Sequence, residues 1–463
     1  MIPVIDIFAG PGGLNEGFSQ VRDAEGNRVF DIRGSFEMES RAIETLALRA
    51  AYRLFSEEEK GRRRYHAFLA SGGQVDLRAE FPAAFQQAEK HVHQIKLGED
   101  TRLESDRIIE KSLSGDGDFV LVGGPPCQAY SLVGRSRRAH DTTFLDDEKH
   151  FLFREYLHIL EEHRPAVFVM ENVKGLLSAT HGDTRMFERI REDLELDADY
   201  RIRSLVVAGD DPGPRDFVIR AERYGVPQKR HRVILLGIRE DLDAAPVPLQ
   251  PRGPVTLHDA IANLPAFRSI LTSGDSQDRW ESARYLGLAR AGAIQPREQS
   301  DGDETDAEAL RRWLRVGEVP VSQHADHPRR HMAPDVSRYA YYAAKLTQGR
   351  RPRVHELPDG LRPAHKNVDG AGTPFSDRFH VQGWGEPSST IVSHLSKDGH
   401  HFIHPDPMQA RSLSVREAAR LQTFPDDYWF CGPRTAQFQQ VGNAVPPYLA
   451  KQIGDAVHRL MRG

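Results

Sequence analysis

The sequence predicts an α/β protein: a parallel sheet with helices on both faces, and a second, smaller and more irregular region set into it. Three observations carry this expectation. Short apolar runs alternate with helical segments through the first 240 residues, the pattern of a sheet buried on both sides. Residues able to do chemistry sit at the ends of these runs, where open α/β sheets bind ligands. After about residue 245 the texture changes to proline, glycine, histidine and arginine with weak periodicity, and helical texture returns only at residue 414.

PVIDIF, residues 3–8, is short, apolar and β-branched. AGPGGLNEGF breaks it with Gly10, Gly12 and Gly13 and then opens a helix. No basic segment precedes these apolar residues, so the start reads as a first strand and not as a signal peptide. IRGSF is a second strand, ending in Glu37. Residues 41–116 are mostly helical in composition, and the patch EEEKGRRRY near residue 60 reads as a solvated helix face or an insertion. DFVLV (118–122), AVFVM (166–170) and RVILLGI (232–238) are three further buried strands. SVREAARLQTF (414–424) and PPYLAKQIGDAVHRLM (446–461) are helical.

Composition excludes several classes. A chain of 463 residues has room for two or three domains. No apolar run approaches the roughly 20 residues that span a bilayer. Two cysteines, Cys127 and Cys431, make neither a disulfide framework nor a cysteine zinc site, so a reduced cytosolic chain is expected. The histidine-rich stretches HADHPRRH (324–331) and HHFIH (400–404) lack partners at ligand spacing, and no metal is expected. A net charge of −5 argues neither for nor against nucleic acid. Between His324 and Lys366, however, nine Lys/Arg stand against four acids, with Tyr339, Tyr341 and Tyr342 among them. That segment reads as a folded basic module.

Five stretches carry candidate chemistry. The turn at Gly10 and Gly12 suits close approach of an adenosyl group, although NAD, FAD and purely structural turns use the same device. Glu37 is placed to bind ribose hydroxyls or to stand as an exposed strand-end carboxylate. In GGPPCQAYS, Pro125 and Pro126 stiffen the loop that holds Cys127. That thiol is a nucleophile in waiting or a small buried hydrophobe. Glu171, after AVFVM, meets a ligand amide edge or caps the next turn. In QKRHR, Arg230 and Arg232 share one face at period 2, as a pair of working cations or as solvated charge. Asn443 in QVGNAVPP is a cofactor donor or an ordinary turn asparagine.

Taken together, in content and order, these stretches resemble the DNA (cytosine-5)-methyltransferase family. DIFAGPGGLNEGF is similar to its cofactor signature. GGPPCQAYS is similar to its catalytic loop, with Tyr130 where phenylalanine is more usual. ENVKGLL, QKRHR, REAARLQTFP and QVGNAVPP complete the series. The resemblance covers roughly residues 1–50, 115–240 and 385–463. It implies a Rossmann-like, S-adenosylmethionine-dependent methyltransferase domain over residues 1–245, with 51–100 as an insertion. It further implies a smaller, irregular target-recognition domain over 246–385 and a return segment, 386–463, that completes the catalytic domain. Thr390-Ile391 in PSSTIVSH resembles the short signature near the end of that recognition domain.

By that resemblance, Phe8, Gly10 and Gly12 line the cofactor, Glu37 holds its ribose and Met38 packs on its adenine. Asn443 contacts the cofactor from the last motif, and Pro126 lies between cofactor and base. Asp100 is the candidate contact to the adenine amine. Cys127 adds to cytosine C6, Glu171 hydrogen-bonds N3, and Arg232 orients the adduct of a base flipped from the duplex. The implied protein is bacterial, cytoplasmic, bound to the nucleoid through double-stranded DNA and monomeric. A cognate restriction endonuclease or defence proteins are its candidate partners. Three rival readings carry less. A tRNA cytosine-5 methyltransferase lacks support, because no Cys-Phe-Thr occurs and the recognition segment is long. A catalytically silent DNA-binding relative is disfavoured by Cys127, Glu171 and Asn443, and a nicotinamide dehydrogenase gives Cys127 no role.

Overall fold

A computed structural model describes residues 1–115, 117–125, 148–181, 184–294, 302–320, 329–364 and 377–462. Its centre is an eight-stranded sheet. The strands are β1 (Ile2–Ile7), β2 (Phe30–Glu37), β3 (Val92–Gln94), β4 (Val120–Gly123), β5 (Val167–Val173), β6 (Tyr200–Arg203), β7 (Val218–Arg220) and β8 (His231–Arg239). Their spatial order is β3-β2-β1-β4-β5-β8-β6, and β7 also pairs with β8. The chain reverses its direction of travel across the sheet between β1 and β4. The carboxyl ends of those two strands therefore flank the switch point where open α/β sheets bind ligands.

Each strand feeds two cores by simple alternation. Val4, Val120, Val122, Val167, Val169, Ile234 and Leu236 face one layer, against the first helix (Gly13–Ser19) and the last (Pro447–Arg462). Ile5, Ile7, Leu121, Phe168, Met170, Val233 and Leu235 face the other. That layer includes the helices Arg102–Leu113 and Glu148–His163. A period-2 strand with both faces covered must be apolar throughout, which is why these runs read so clearly.

The structure differs from these expectations at several points. The sheet is not wholly parallel: β8 runs antiparallel to β5, β6 and β7. Residues 51–100 contribute β3 to the sheet edge beside β2. The rest of that stretch forms a helical layer with its own aromatic core of Tyr52, Phe55, Tyr65, Phe68 and Phe85. Residues 246–385 are more regular than expected, with helices Gln277–Ala291, Glu304–Leu314 and Ala333–Thr347. In the last of these, every residue from Asp335 to Ala344 is buried, polar Asp335, Ser337 and Arg338 among them.

The basic module also changes character. Tyr339, Tyr341 and Tyr342 are core residues. Arg329 is buried and donates to the carbonyls of Leu395, Ser396 and Lys397. Arg338 pairs with Asp335 at 2.6 Å, Lys345 donates to Ala291 O at 2.7 Å, and Arg351 pairs with Glu386. Arg330, Arg350 and Arg353 remain exposed. Among the described residues no helix is long and apolar enough to cross a membrane, and no group of three or more His, Cys, Asp or Glu is arranged to hold a metal ion.

Candidate active site at the carboxyl edge of the sheet

The turn after β1 is strongly bent. Phe8 (φ 55°), Gly10 (φ 55°) and Gly12 (φ 90°) all take left-handed backbone, which costs a non-glycine residue such as Phe8 about 1–2 kcal/mol. Neighbours hold it there. Ala9 N donates to Phe36 O at 3.0 Å, and Gly10 N donates to Glu37 Oε2 at 2.8 Å. Glu37 Oε1 accepts from Met38 N and Glu39 N at 2.8 and 2.9 Å. Glu37 is thus not a loose strand-end charge. It joins the glycine turn to the end of β2, and Met38 beyond it is 52% exposed.

The two ends of the chain meet at this turn. A Cβ on Gly13 would lie 2.1 Å from Val445 O, and one on Gly17 would lie 2.4 Å from Ala450 Cβ. The QVGNAVPP segment therefore packs directly on the first helix. Asn443 ends the helix Arg434–Asn443 and is exposed beside that contact. In contrast, a Cβ on Gly10 would meet no described atom within 4 Å.

Across the switch point, Glu171 and Arg232 form an ion pair, with Arg232 Nε 2.8 Å from Glu171 Oε1. The topology makes this pair. In the antiparallel register Ile234 lies opposite Glu171 and Arg232 opposite Val173, so Glu171 and Arg232 are diagonal neighbours on one face. Had β8 run parallel, its leading arginine would lie at the opposite edge of the sheet. The segment leaving β4 passes close by, because a Cβ on Gly124 would sit 3.0 Å from Glu171 Oε2.

Arg230 does not project beside Arg232. It is buried and donates to Ile391 O at 2.9 Å and Gly442 O at 3.4 Å. Burial, then repulsion from Arg232, lowers its pKa to about 9 against the pull of Glu171. Gln228 accepts from Ile391 N at 2.7 Å and donates to Gln422 Oε1 at 2.5 Å, while Thr390 Oγ1 donates to Lys229 O at 2.6 Å. QKRHR thus seats Thr390-Ile391 and the return segment against the catalytic sheet.

Cys127 and Pro126 lie outside the described residues. Asp100 sits in the short turn Glu99–Thr101 after β3 and is exposed. Sequence reasoning passed over Asp6, a fully buried carboxyl in β1 whose two oxygens have no hydrogen-bond partner among the described residues. Burial, and then Glu37, push its pKa well above the usual carboxylate range. A lone acid in the run IPVIDI was the available signal. Also missed was the buried pairing of Glu16 with Arg49, at 2.6 and 2.9 Å.

Comparison with known proteins agrees with this layout. The family described as C-5 cytosine-specific DNA methylase matches residues 84–459. Type II methyltransferase M.Bpa9945I of Bacillus paralicheniformis is 34% identical, over 99% of each chain. Type II methyltransferase M.XorII of Xanthomonas oryzae pv. oryzae is 31% identical over 74% of this chain and 68% of its own. A solved E. coli structure, described as a candidate DNA modification methyltransferase encoded within a prophage, shares the fold with a TM-score of 0.54 at 21% identity and full coverage of both chains. On the family match over most of its length and the full-length relative, the chain belongs to the C-5 cytosine-specific DNA methylases and is a DNA cytosine-5 methyltransferase that uses S-adenosylmethionine.

Proposed function

We propose that the chain methylates C5 of cytosine in a specific double-stranded DNA sequence, as the modifying half of a restriction–modification or related defence system. A covalent adduct on Cys127 carries the reaction. The type II names of its relatives support the biological setting. Its partner would be a cognate endonuclease, and its place the cytoplasm, on nucleoid DNA. The observation that carries the reading is the Glu171–Arg232 pair, set 2.8 Å apart beside the segment that leads from Gly124 toward Cys127.

The residues present fit the cofactor. Among the described residues the space in front of Gly10 is open, the Glu37 carboxylate borders it through Gly10 N, and the Asp6 carboxyl, without a described hydrogen-bond partner, lies in the strand below the turn. Phe8, Gly10, Gly12, Glu37, Met38, Pro126 and Asn443 are the residues proposed to hold it. When bound, S-adenosylmethionine supplies an electrophilic methyl group. Cytosine C5 is a weak nucleophile until the Cys127 thiolate adds at C6 and leaves C5 electron-rich. Protonated Glu171 donates to N3 and stabilises the negative charge gathering there, while Arg232 lies against that carboxyl group and orients the ring. Once C5 is methylated, its proton departs, the C5–C6 double bond re-forms and the thiolate is expelled. The base must first leave the stack at a cost of about a few kcal/mol, which phosphate and groove contacts offset.

Cys431 is a poor alternative nucleophile. It packs against the helical layer of residues 48–88, and burial pushes its thiol up to about 11. Incubation with a duplex carrying 5-fluorocytosine and S-adenosylmethionine should trap a protein–DNA adduct at Cys127. An adduct mapped to Cys431, or none on any duplex that the enzyme methylates, would sink the mechanism.

A further inference from the structure

Tyr428 belongs to REAARLQTFPDDYWF, a motif to which the proposed chemistry gives no task. The side chain is buried, and its hydroxyl donates to Pro11 O, the carbonyl between the left-handed residues Gly10 and Gly12. A Cβ on Gly12 would stand 3.1 Å from the same hydroxyl. The phenol therefore braces the apex of the cofactor turn from the side of the first helix.

The ring itself is fixed. Phe424 and Phe430 pack on it with centroids 4.7 and 5.3 Å away, and the Arg49 guanidinium lies 4.9 Å from its centroid. Arg49 is locked in turn. It meets both oxygens of Glu16 in the first helix, and Asp427 Oδ1 at 3.2 Å. Asp427 is fully buried and also pairs with Arg315, just beyond the helix Glu304–Leu314. Leu314 O accepts from Asp426 N at 2.9 Å. One side of the 426–428 segment therefore touches the cofactor turn, and the other touches the region assigned to target recognition.

We propose that Tyr428 is a positioning residue for the cofactor turn, holding Pro11 so that the space before Gly10 stays shaped for S-adenosylmethionine. Asp427, Arg49 and Arg315 set the position of Tyr428. The left-handed backbone at Phe8 explains the need, since a strained turn persists only where its surroundings over-determine it. Loss of one brace lets the turn relax without unfolding the protein.

Tyr428→Phe removes one oxygen and keeps the ring. In the full-length protein it should raise the Kd and KM for S-adenosylmethionine 5- to 20-fold. It should leave kcat at saturating cofactor and the KM for DNA within about twofold, and move the melting temperature by only a few degrees. Arg315→Ala, remote from the turn, should shift the cofactor Kd in the same direction by a smaller factor, with Arg315→Lys restoring most of it. An unchanged cofactor Kd in Tyr428→Phe, or equal rises in the KM for cofactor and DNA, would overturn the assignment. The inference rests on the turn being the cofactor's seat, and Gly10→Ala separates the two. Loss of affinity in Gly10→Ala but not in Tyr428→Phe removes only the role of Tyr428; retention in both removes the seat.

Discussion

Two glycines three residues apart in one turn should fail in different ways when each gains a methyl group. At Gly13 the new Cβ would lie 2.1 Å from the Val445 carbonyl oxygen, a backbone atom with no rotamer to swing aside. The 444–446 segment must retreat by about 1 Å, straining the bond from Gln422 Nε2 to Ala444 O. Overpacking of this kind costs about 1–3 kcal/mol, so Gly13→Ala should melt several degrees early even without ligand. At Gly10 the Cβ meets no described atom within 4 Å, and φ is +55°. Left-handed alanine costs about 1–2 kcal/mol. That outweighs the roughly 0.4–1 kcal/mol that a stiffer unfolded chain contributes, so Gly10→Ala should lose stability, by about 1 kcal/mol. The methyl also projects into the proposed cofactor space. Titration calorimetry should show Kd for S-adenosylmethionine rising at least tenfold, about 1.4 kcal/mol. Melting curves without ligand give the other half of the comparison. Wild-type cofactor affinity in Gly10→Ala, or a wild-type melt for Gly13→Ala, would refute the placement of cofactor and return segment on either side of this turn.

Two further outcomes are expected. Glu171→Gln should lower kcat/KM by about 10²–10³, the usual loss for one stabilising group at a reacting centre, with cofactor Kd unchanged; methyl-transfer rates with labelled cofactor measure it. Acid should destabilise the protein below neutrality. His331 is buried, and its Nε2 accepts from Ser412 N at 3.3 Å. Burial first, then Arg329, His400, Arg411 and Arg434, hold its pKa well below the ordinary 6.5. Burial acts the same way on His380, lowered to about 4, and on His404. For such groups the unfolded chain binds more protons at pH values between the folded and unfolded pKa. Their contribution is therefore complete above about pH 6.5 and is lost as pH falls. Melting temperature should drop between pH 7.5 and 5, and His331→Gln should flatten that drop; an unaltered slope would exclude His331 as a cause.

The strands that matter most were legible because burial on both faces leaves a continuous apolar run. IRGSF and RVILLGI lie within β2 and β8, and AVFVM overlaps β5. β3, β6 and β7 were missed because VHQ, YRIR and VIR are too short and too polar to establish a period. The direction of β8 was not legible at all. Its apolar run reads alike whether it runs up or down the sheet, yet only the antiparallel choice carries Arg232 to Glu171. Internal charge pairing hid still more. In the helix Val415–Leu421 every residue is buried, including Arg416, Glu417 and Arg420. Glu417 meets Arg411 at 2.7 Å and Arg420 meets Asp426 at 2.6 Å. A run such as VREAARL therefore looks like a solvated amphipathic helix, because hydropathy cannot distinguish a charge facing water from one facing its partner.

The same pairings explain why the motifs lie far apart in a site so confined. Tyr428 reaches Pro11 across 417 residues, Gln228 reaches Gln422 across 194, and Arg230 reaches Gly442 across 212. The return segment thus supplies contacts that hold the turn after β1 in its shape. Every such closure costs chain entropy that grows only slowly with the length enclosed. Intervening segments can therefore lengthen or change sequence at little cost to the site, provided the closing contacts survive. Residues 246–385, enclosed between QKRHR and Thr390-Ile391, occupy such a loop. Gln228 and Arg230 fix where it departs and returns, independent of what it contains. The enclosed region can then change sequence without disturbing the site, provided those two side chains stay with the catalytic sheet.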